Sequence, residues 1–388
     1  MNRTAIGARM GWVAILFLLA LAYANALNAP FVYDDRLEVV GNATIRDLTQ
    51  WRAILHYNVS RALLVWTYAW NYHLWGLDPF GYHVVSLVIQ GLAVGAAIGM
   101  ADAVGRLGRH GFPMVAAIGA VAVWAVHPMG VEAVTYVTGR SESLCALFCL
   151  LSLGCWARAL GDGVTPRWAA GFRVLGIAAA LAAFLTKEVA GALPLSILAM
   201  ELLLGDRDKA LLRRPRWRWY IFFLILIAVA AWGRLAFAGS LLPREVDRPL
   251  GVQLATQAGV WLRYVQLWLV PVGQTIYHHV PDVEPLSLRG LTSIGGWLGM
   301  VLICVRWSWS RPLVGWALIS GALFLLPSSS FVPLKESMAE HRAYCLGLYL
   351  ALAMTWSVNE AGRRRWSWIT VGLVPACVLA TIARNHVW

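Results

Sequence analysis

Long apolar runs recur along the whole chain, separated by short polar or charged stretches. An α-helix needs roughly 17 to 25 predominantly apolar residues to cross the hydrocarbon core of a bilayer. The pattern therefore predicts an all-α polytopic membrane protein with about 11 transmembrane helices. Their predicted bounds are 10–27, 82–102, 113–127, 140–158, 169–186, 189–204, 219–238, 290–305, 312–327, 343–358 and 366–383.

A further apolar stretch, 254–272, carries Arg263 and Gln266 at its centre. Membrane helices are flanked by an excess of basic residues on the cytoplasmic side. Counting 254–272 as a full span would put the basic cluster 362–368 on the side opposite the N-terminus. We therefore predict a re-entrant or interfacial segment, with the N-terminus cytoplasmic. Most carboxylates, the active site and the C-terminus are then predicted to lie outside.

The first predicted outer loop, 28–80, is too long to be a plain connector. Its stretches 45–57 and 61–75 carry apolar residues at helical spacing, with polar residues between them. This spacing predicts two amphipathic helices that lie on the outer leaflet. Beyond this loop no internal repeat is evident, so we predict a single transmembrane domain over 1–388.

Composition narrows the class further, since 59% of the residues are hydrophobic and only 13% are charged. The net charge of +12 does not indicate a nucleic-acid partner, because the basic residues punctuate the apolar runs. Only three of the 32 Lys and Arg residues are lysine, a usage typical of a GC-rich bacterial genome. We therefore predict a bacterial inner membrane with the outer face in the periplasm. The six cysteines form no CxxC or Cys/His set, so no disulfide framework or zinc site is predicted.

Four clusters of ionisable residues fall on the predicted outer side. Any one of them could be an ordinary loop charge in the headgroup region, but charges at span edges are costly and usually face a cavity. Together they predict a cavity of carboxylates and cations, the groups that transfer of a phosphate-linked sugar to a hydroxyl requires. The clusters are Asp34 and Asp35; His127, Glu132, Arg140 and Glu142; Lys187 and Glu188; and Lys335, Glu336, Glu340, His341 and Arg342.

Several motifs in order along 30–350 resemble the membrane half of the transmembrane-and-TPR protein O-mannosyltransferases and their bacterial relatives, which are GT-C glycosyltransferases. The motifs are "FVYDD", "RALLVWTYAWNYHLWGLDPFGYHVVSL", "VWAVHPMGVEAVTYVTGRSE", "TKE" and "SSSFVPLKESMAEHRAYCLGL". The resemblance implies the GT-C fold and an inverting transfer of a monosaccharide, with mannose expected. The donor would be a polyprenyl-phosphate sugar, and the acceptor a hydroxyl, expected on a protein Ser or Thr.

The resemblance also implies roles for residues. A first-loop aspartate would be the catalytic base, either Asp35, which we favour slightly, or Asp34. The donor phosphate would be bound by Arg140, Lys187 and Arg342. Supporting polar roles would fall to His127, Glu132, Glu142, Glu188, Glu340 and His341. Donors of this type need no metal cofactor in this fold class, although the paired aspartates leave a divalent ion open.

The chain departs from the family in carrying no TPR repeats after its last predicted span, which leaves the protein acceptor open. One alternative is a GT-C enzyme that glycosylates a lipid or a glycan. A second is a transporter or flippase of lipid-linked sugars, which would use the outer cations without a base. A non-enzymatic membrane scaffold is the third. Besides the sugar lipid and its acceptor, the only predicted partners are membrane lipids.

Overall fold

The computed structural model describes residues 3–108, 113–205, 217–238, 246–360 and 366–388, and all regular secondary structure in these ranges is helical. In this part of the chain the α-helices are α1 Arg3–Tyr23, α2 Trp51–Tyr57, α3 Ala62–Trp75, α4 Pro79–Leu107, α5 Met114–Ala125, α6 Val131–Val134, α7 Arg140–Leu160, α8 Pro166–Phe184, α9 Leu193–Leu204, α10 Trp217–Ala238, α11 Leu250–Leu269, α12 Leu288–Ser310, α13 Pro312–Leu325, α14 Tyr344–Glu360 and α15 Trp366–Asn385. Each apolar segment predicted from the sequence coincides with one of these helices.

The chain is an integral membrane protein with several apolar spans. Among the described residues, five helices are long and apolar enough to cross a membrane: Arg9–Ala26, α4, α7, α8 and α12. The pair formed by α5 and 128–134, bent by 57°, gives a sixth if it is counted as one span. The predicted number of about 11 spans is not confirmed. Several predicted spans fold as shorter helices, such as α9 with 12 residues and α13 with 14.

The long helices pack closely because small residues lie between them. α4 packs along α7, α7 packs along α8, and α13 packs between α9 and α14. A Cβ on Gly154 of α7 would lie only 3.3 Å from the Cα of Met100 in α4. Ala97 and Ala101 of α4 are completely buried. Small residues at helix contacts let the backbones approach, and dispersion then favours association inside a membrane.

The first loop folds into short helices, as its spacing predicted. Residues 43–46 and 48–50 form helical turns, followed by α2 and then α3. α3 ends at Gly76, whose φ of +58° suits a residue without a Cβ. α4 begins after Asp78, whose side chain accepts a hydrogen bond from the amide of Phe80 at 3.0 Å. The position of α2 and α3 on the membrane surface stays a prediction.

The stretch 254–272 lies in α11, one continuous helix that is not among the candidate spans. One face of α11 donates hydrogen bonds to carbonyls of the irregular segment 329–339. The donors are Gln253, to Ser330 at 2.8 Å; Gln257, to Ser337 at 3.0 Å; Trp261, to Ser329 at 2.6 Å; and Tyr264, to Ala339 at 2.9 Å. These bonds satisfy backbone groups that would otherwise be buried without partners. The opposite face of α11, with Arg263 and Gln266, remains open to a cavity.

Candidate functional site

The two adjacent aspartates have different surroundings. Asp35 is 1% exposed, and its carboxylate accepts hydrogen bonds from the amides of Thr138 at 2.8 Å and Val32 at 3.3 Å. Asp34 is exposed, and its own amide donates to the phenol oxygen of Tyr136 at 3.0 Å. Among the described residues, no hydrogen bond or ion pair reaches the Asp34 carboxylate. The carboxylate oxygens of Asp34 are therefore free to accept hydrogen bonds, whereas those of Asp35 already accept from backbone amides.

The backbone just before these aspartates has an unusual conformation. Tyr33 has a φ of +47°, a conformation that is uncommon for a residue with a Cβ. Its ring meets the rings of Tyr136 and Trp388 edge-on, at centroid distances of 6.5 and 6.4 Å. Such strain persists only where surrounding contacts hold it, and it is concentrated at functional sites.

Burial is the main influence on the acidity of Asp35. It raises the pKa of Asp35 to about 6, against the smaller opposite effect of the hydrogen bonds from Thr138 and Val32. A carboxyl group removed from water disfavours its charged form. Asp35 therefore remains partly protonated at a pH where an exposed aspartate would be fully ionised.

A cavity of about 490 Å³ is lined by the neighbours of the aspartate pair in the chain, although neither aspartate is among its lining residues, and we call it the aspartate cavity. Tyr33 and Arg36, on either side of the aspartate pair, form one wall, and Ile276 forms another. The remaining lining residues are Val32, Val387 and Trp388. The Trp388 ring stacks on Tyr136 at 5.2 Å. This mixture of aromatic rings and one guanidinium can hold a polar ligand with apolar faces.

The segment 131–142, which holds most of one predicted cluster, contacts residues of the other three. Thr138 bonds Asp35, and Glu132 accepts from the amide of His341 at 2.9 Å while its other oxygen lies 2.8 Å from the His341 ring. Glu142 pairs with Lys187 at 2.7 Å. The clusters predicted from the sequence are therefore brought onto one connected part of the structure.

Glu340 is the centre of a second group of contacts. It is fully buried, and one oxygen accepts from the amide of Thr275 at 2.9 Å and lies 2.7 Å from the His278 ring. Its other oxygen forms an ion pair with Arg384 at 2.8 Å. Glu340 thus fixes the loop after α11 and the end of α15, the two elements that supply Ile276 and Val387 to the aspartate cavity.

His127 contacts only neighbouring parts of the protein in the contacts described here, and these contacts are structural. Its Nδ1 accepts from the amide of Met129 at 3.2 Å, and its ring stacks on Trp268 at 5.4 Å. The ring is buried. These contacts cap the short helical turn that follows His127 and fasten it to α11.

Arg140, expected to bind phosphate, is fully enclosed by protein. It is 0% exposed, and its guanidinium donates to Asn71 and to the carbonyl of Tyr82 at 2.7 Å, and to Thr67 and Ser86 at 3.1 Å. The rings of Tyr68 and Tyr82 lie 5.2 and 5.9 Å from the guanidinium carbon. These partners all belong to the protein, so the guanidinium holds α3, α4 and α7 together.

The other predicted cations also have protein partners. Lys187 is buried against Glu142, and the neighbouring Glu188 pairs with Arg61 at 2.9 Å. Arg342 is partly exposed and donates to the carbonyl of Glu336 at 2.8 Å. Neither of the two cavities described here is lined by Arg140, Lys187 or Arg342. Their assignment to the donor phosphate stays a prediction from the resemblance.

A second cavity, of about 400 Å³, lies between α11 and α12, and we call it the arginine cavity. It is lined by Arg263 and Gln266 from α11, by Arg289 and Ser293 from α12, and by His278 and His279 from the connecting loop, among others. In the sequence, Arg263 and Gln266 indicate only that 254–272 is unsuited to crossing the membrane. The sequence did contain a signal for a site, because Arg263 and Arg289 flank a loop that carries the adjacent histidines His278 and His279.

Metal ligands are the remaining question for the aspartate pair. Within the described part of the chain, no group of three or more His, Cys, Asp or Glu side chains is arranged to hold a metal ion. The structure therefore identifies no metal centre among these residues, and the open alternative of a divalent ion stays untested.

Known proteins similar to this chain are protein O-mannosyl-transferases. The chain is 32% identical to TMTC4 of Mus musculus over 157 residues, and 30% identical to Tmtc1 of Drosophila melanogaster over 195 residues. These matches cover 35% and 46% of this chain, and 21% of each relative. Tmtc3 of Drosophila melanogaster is 23% identical and its match covers 97% of this chain.

The chain is thus homologous to the protein O-mannosyl-transferases over nearly its whole length, which is consistent with the membrane portion of a GT-C enzyme. The longest of the three matches covers 49% of the relative, so the chain spans about half the length of that protein and less of the others. No family model matches the chain. No solved structure matches it either.

Proposed function

We propose that the chain is an inverting GT-C glycosyltransferase that moves a monosaccharide from a polyprenyl-phosphate donor to a hydroxyl. Homology to protein O-mannosyl-transferases supports the reaction class, and it makes mannose and a protein Ser or Thr the first donor sugar and acceptor to test. The reaction would take place on the outer face of a bacterial inner membrane. The observation that supports a catalytic site is the exposed residue Asp34, which follows Tyr33 in the chain and precedes Arg36, two residues that line the aspartate cavity.

Asp34 is the proposed base, and Asp35 is the proposed positioning residue. The acceptor hydroxyl gives its proton to the Asp34 carboxylate as its oxygen forms a bond to the anomeric carbon of the sugar. The bond from that carbon to the donor phosphate breaks, and the lipid phosphate leaves with the electron pair. Asp35 accepts from the backbone amides of Val32 and Thr138, and we propose that these bonds position the segment that carries Asp34. This geometry favours Asp34 over the slight sequence preference for Asp35.

Asp34→Asn tests the proposal, because it keeps the shape and removes the base. Transfer of radiolabelled mannose from polyprenyl-phosphate mannose to a Ser/Thr peptide is measured in proteoliposomes. We expect the rate to fall by about 10²- to 10⁴-fold, the typical contribution of general base catalysis. Binding of the donor lipid should be unchanged. The matched control is Asp162→Asn, an exposed aspartate in the α7–α8 loop, which should transfer at the wild-type rate.

Other results would contradict the proposal in distinct ways. Full transfer by Asp34→Asn would remove Asp34 as the base. Wild-type protein that binds the sugar lipid, moves it across the bilayer and transfers nothing would indicate a transporter. Transfer to a lipid or glycan acceptor in place of the peptide would keep the chemistry and change the acceptor.

A further inference from the structure

The arginine cavity has an excess of positive charge. None of its thirteen lining residues is acidic, whereas two are arginine and two are histidine. Elsewhere in the described structure the buried cations face carboxylates or a full set of neutral acceptors: Lys187 faces Glu142, Arg384 faces Glu340, and Arg140 has four neutral partners. In the arginine cavity Glu340 faces His278, but neither arginine has a carboxylate partner among the described residues, so the cavity is suited to an anion.

The two arginines keep donor groups free for a ligand. Arg263 is partly buried and donates to a single carbonyl, that of Gly273, at 3.2 Å. Arg289 is exposed and has no hydrogen-bond or ion-pair partner among the described residues. The ring of His278 is held by Glu340, whose carboxylate lies 2.7 Å from its Nε2. A planar guanidinium carries five donors in a fork that matches the oxygens of a phosphate.

The walls of the cavity indicate a lipid-borne anion. α12 is an apolar candidate span with only 6% of its apolar stretch buried in the protein, so most of its surface is available to lipid. Arg289 lies near the start of α12, with Leu288 and Leu291 exposed beside it. α12 approaches α11 closely at Gly259, where a Cβ would lie 3.1 Å from the Ser293 hydroxyl. A phosphate in the cavity could therefore carry a chain that continues along an apolar helix.

The loop after α11 brings the two cavities together. Ile276 lines the aspartate cavity, and His278 lines the arginine cavity. The Cα atoms of residues two positions apart in a chain are separated by at most about 7 Å. An anion in the arginine cavity would therefore lie close to the cavity beside Asp34. The volume of about 400 Å³ is in the range that holds a small phosphorylated ligand.

We propose that the arginine cavity binds the phosphate of a polyprenyl-phosphate lipid through Arg263 and Arg289. The inference rests on the proposed function and gives it a donor-phosphate site that differs from the cations expected from the sequence. Arg263 contacts the phosphate from α11, and Arg289 contacts it from α12. The polyprenyl chain leaves along the exposed apolar face of α12.

The test measures equilibrium binding of radiolabelled polyprenyl monophosphate, without sugar, to full-length protein in phosphatidylcholine nanodiscs. We expect Arg263→Gln and Arg289→Gln each to weaken binding about 10- to 100-fold, the range for loss of a charged hydrogen-bond partner. Arg263→Lys should retain part of the affinity, since it keeps the charge. Arg306→Gln, an exposed arginine on the same helix nearer its other end, is the matched control and should bind as wild type.

Competition separates the sources of phosphate. Inorganic phosphate and hexose 1-phosphate should compete weakly, because they lack the lipid chain. Competition by either one as strong as that by the polyprenyl lipid would overturn the lipid assignment. Equal competition by phosphatidylglycerol would show a general headgroup contact and would also overturn it.

The outcomes for this site and for the proposed function remain distinguishable. Wild-type binding by Arg263→Gln and Arg289→Gln, in a protein that transfers sugar, overturns the cavity assignment and leaves the enzyme intact. Lipid binding that depends on both arginines, in a protein that transfers nothing, supports the cavity and contradicts the glycosyltransferase. Because Arg289 is exposed, its replacement should leave the protein folded, so a loss of binding can be assigned to the loss of this side chain.

Discussion

The buried carboxyl of Asp35 should make the stability of the protein fall as the pH rises. Burial raises the pKa of Asp35 from 3.8 to about 6. Between these values the folded state binds more protons at this site than the unfolded state does. The contribution of Asp35 to the free energy of unfolding therefore decreases as the pH rises from about 4 to about 6, and this contribution is constant outside that range. This direction is the reverse of that for a carboxylate held by a cation, whose stabilising effect is lost on acidification.

The magnitude follows from the size of the pKa change. A difference of about 2 pH units at about 1.4 kcal/mol per unit gives about 3 kcal/mol in the free energy of unfolding. Asp35→Asn has no such titration. Its side chain can still accept from the Thr138 amide, but it loses the acceptor for the Val32 amide, which costs about 1–3 kcal/mol. The advantage of wild type over Asp35→Asn should therefore shrink as the pH rises from 4 to 7.

Equilibrium unfolding in mixed detergent micelles, from pH 4 to pH 7, provides the measurement. The quantity compared is the difference in unfolding free energy between wild type and Asp35→Asn, since other titrating groups cancel in it. Asp162→Asn, at an exposed aspartate in the α7–α8 loop, is the control for the chemical change itself. Parallel curves for wild type and Asp35→Asn would refute the reasoning, since they would mean that burial does not perturb Asp35.

Two further substitutions test the buried cations whose hydrogen-bond or ion-pair partners all belong to the protein. Arg140→Met should destabilise the protein by about 2–6 kcal/mol, because it leaves the acceptors of Asn71 and Tyr82 buried without donors, at about 1–3 kcal/mol each. Folded yield on size exclusion should fall, while donor affinity of the folded fraction stays at the wild-type value; a selective loss of affinity would contradict this. Lys187→Met should cost about 3–5 kcal/mol by leaving buried Glu142 unpaired. The double variant with Glu142→Leu should recover most of this in thermal unfolding, and no recovery would contradict a self-contained pair.

The helices of this fold could be predicted from the sequence because apolar runs at helical length determine them. The predicted segment 140–158, for instance, corresponds to the helix Arg140–Leu160. The number of spans could not be predicted in the same way. Segment 189–204 is apolar enough to suggest a crossing, yet residues 188–192 form a 3₁₀ turn and only Leu193–Leu204 is α-helical. Hydropathy measures composition, whereas the length of a helix depends on where the chain turns and packs.

The candidate site was only partly predictable, because the sequence shows which residues are charged but not what they face. The aspartate pair was found from its position after the first apolar run. Asp35 rather than Asp34 accepts from the distant amide of Thr138, and no pattern of residue types specifies such a tertiary contact. Arg140 resembles a phosphate ligand in sequence, and only folding brings its neutral acceptors together around it.

The two faces of α11 connect the proposed donor site to the proposed base. One face holds the segment 329–339 through its side-chain donors, and that segment leads directly into Glu340. Glu340 fixes His278, in the wall of the arginine cavity, and Arg384, near the wall of the aspartate cavity. Because one buried carboxylate ties both walls, the two cavities should keep a constant separation. Sugar transfer depends on such fixed distances, since holding the reacting groups in place supplies a large part of the rate.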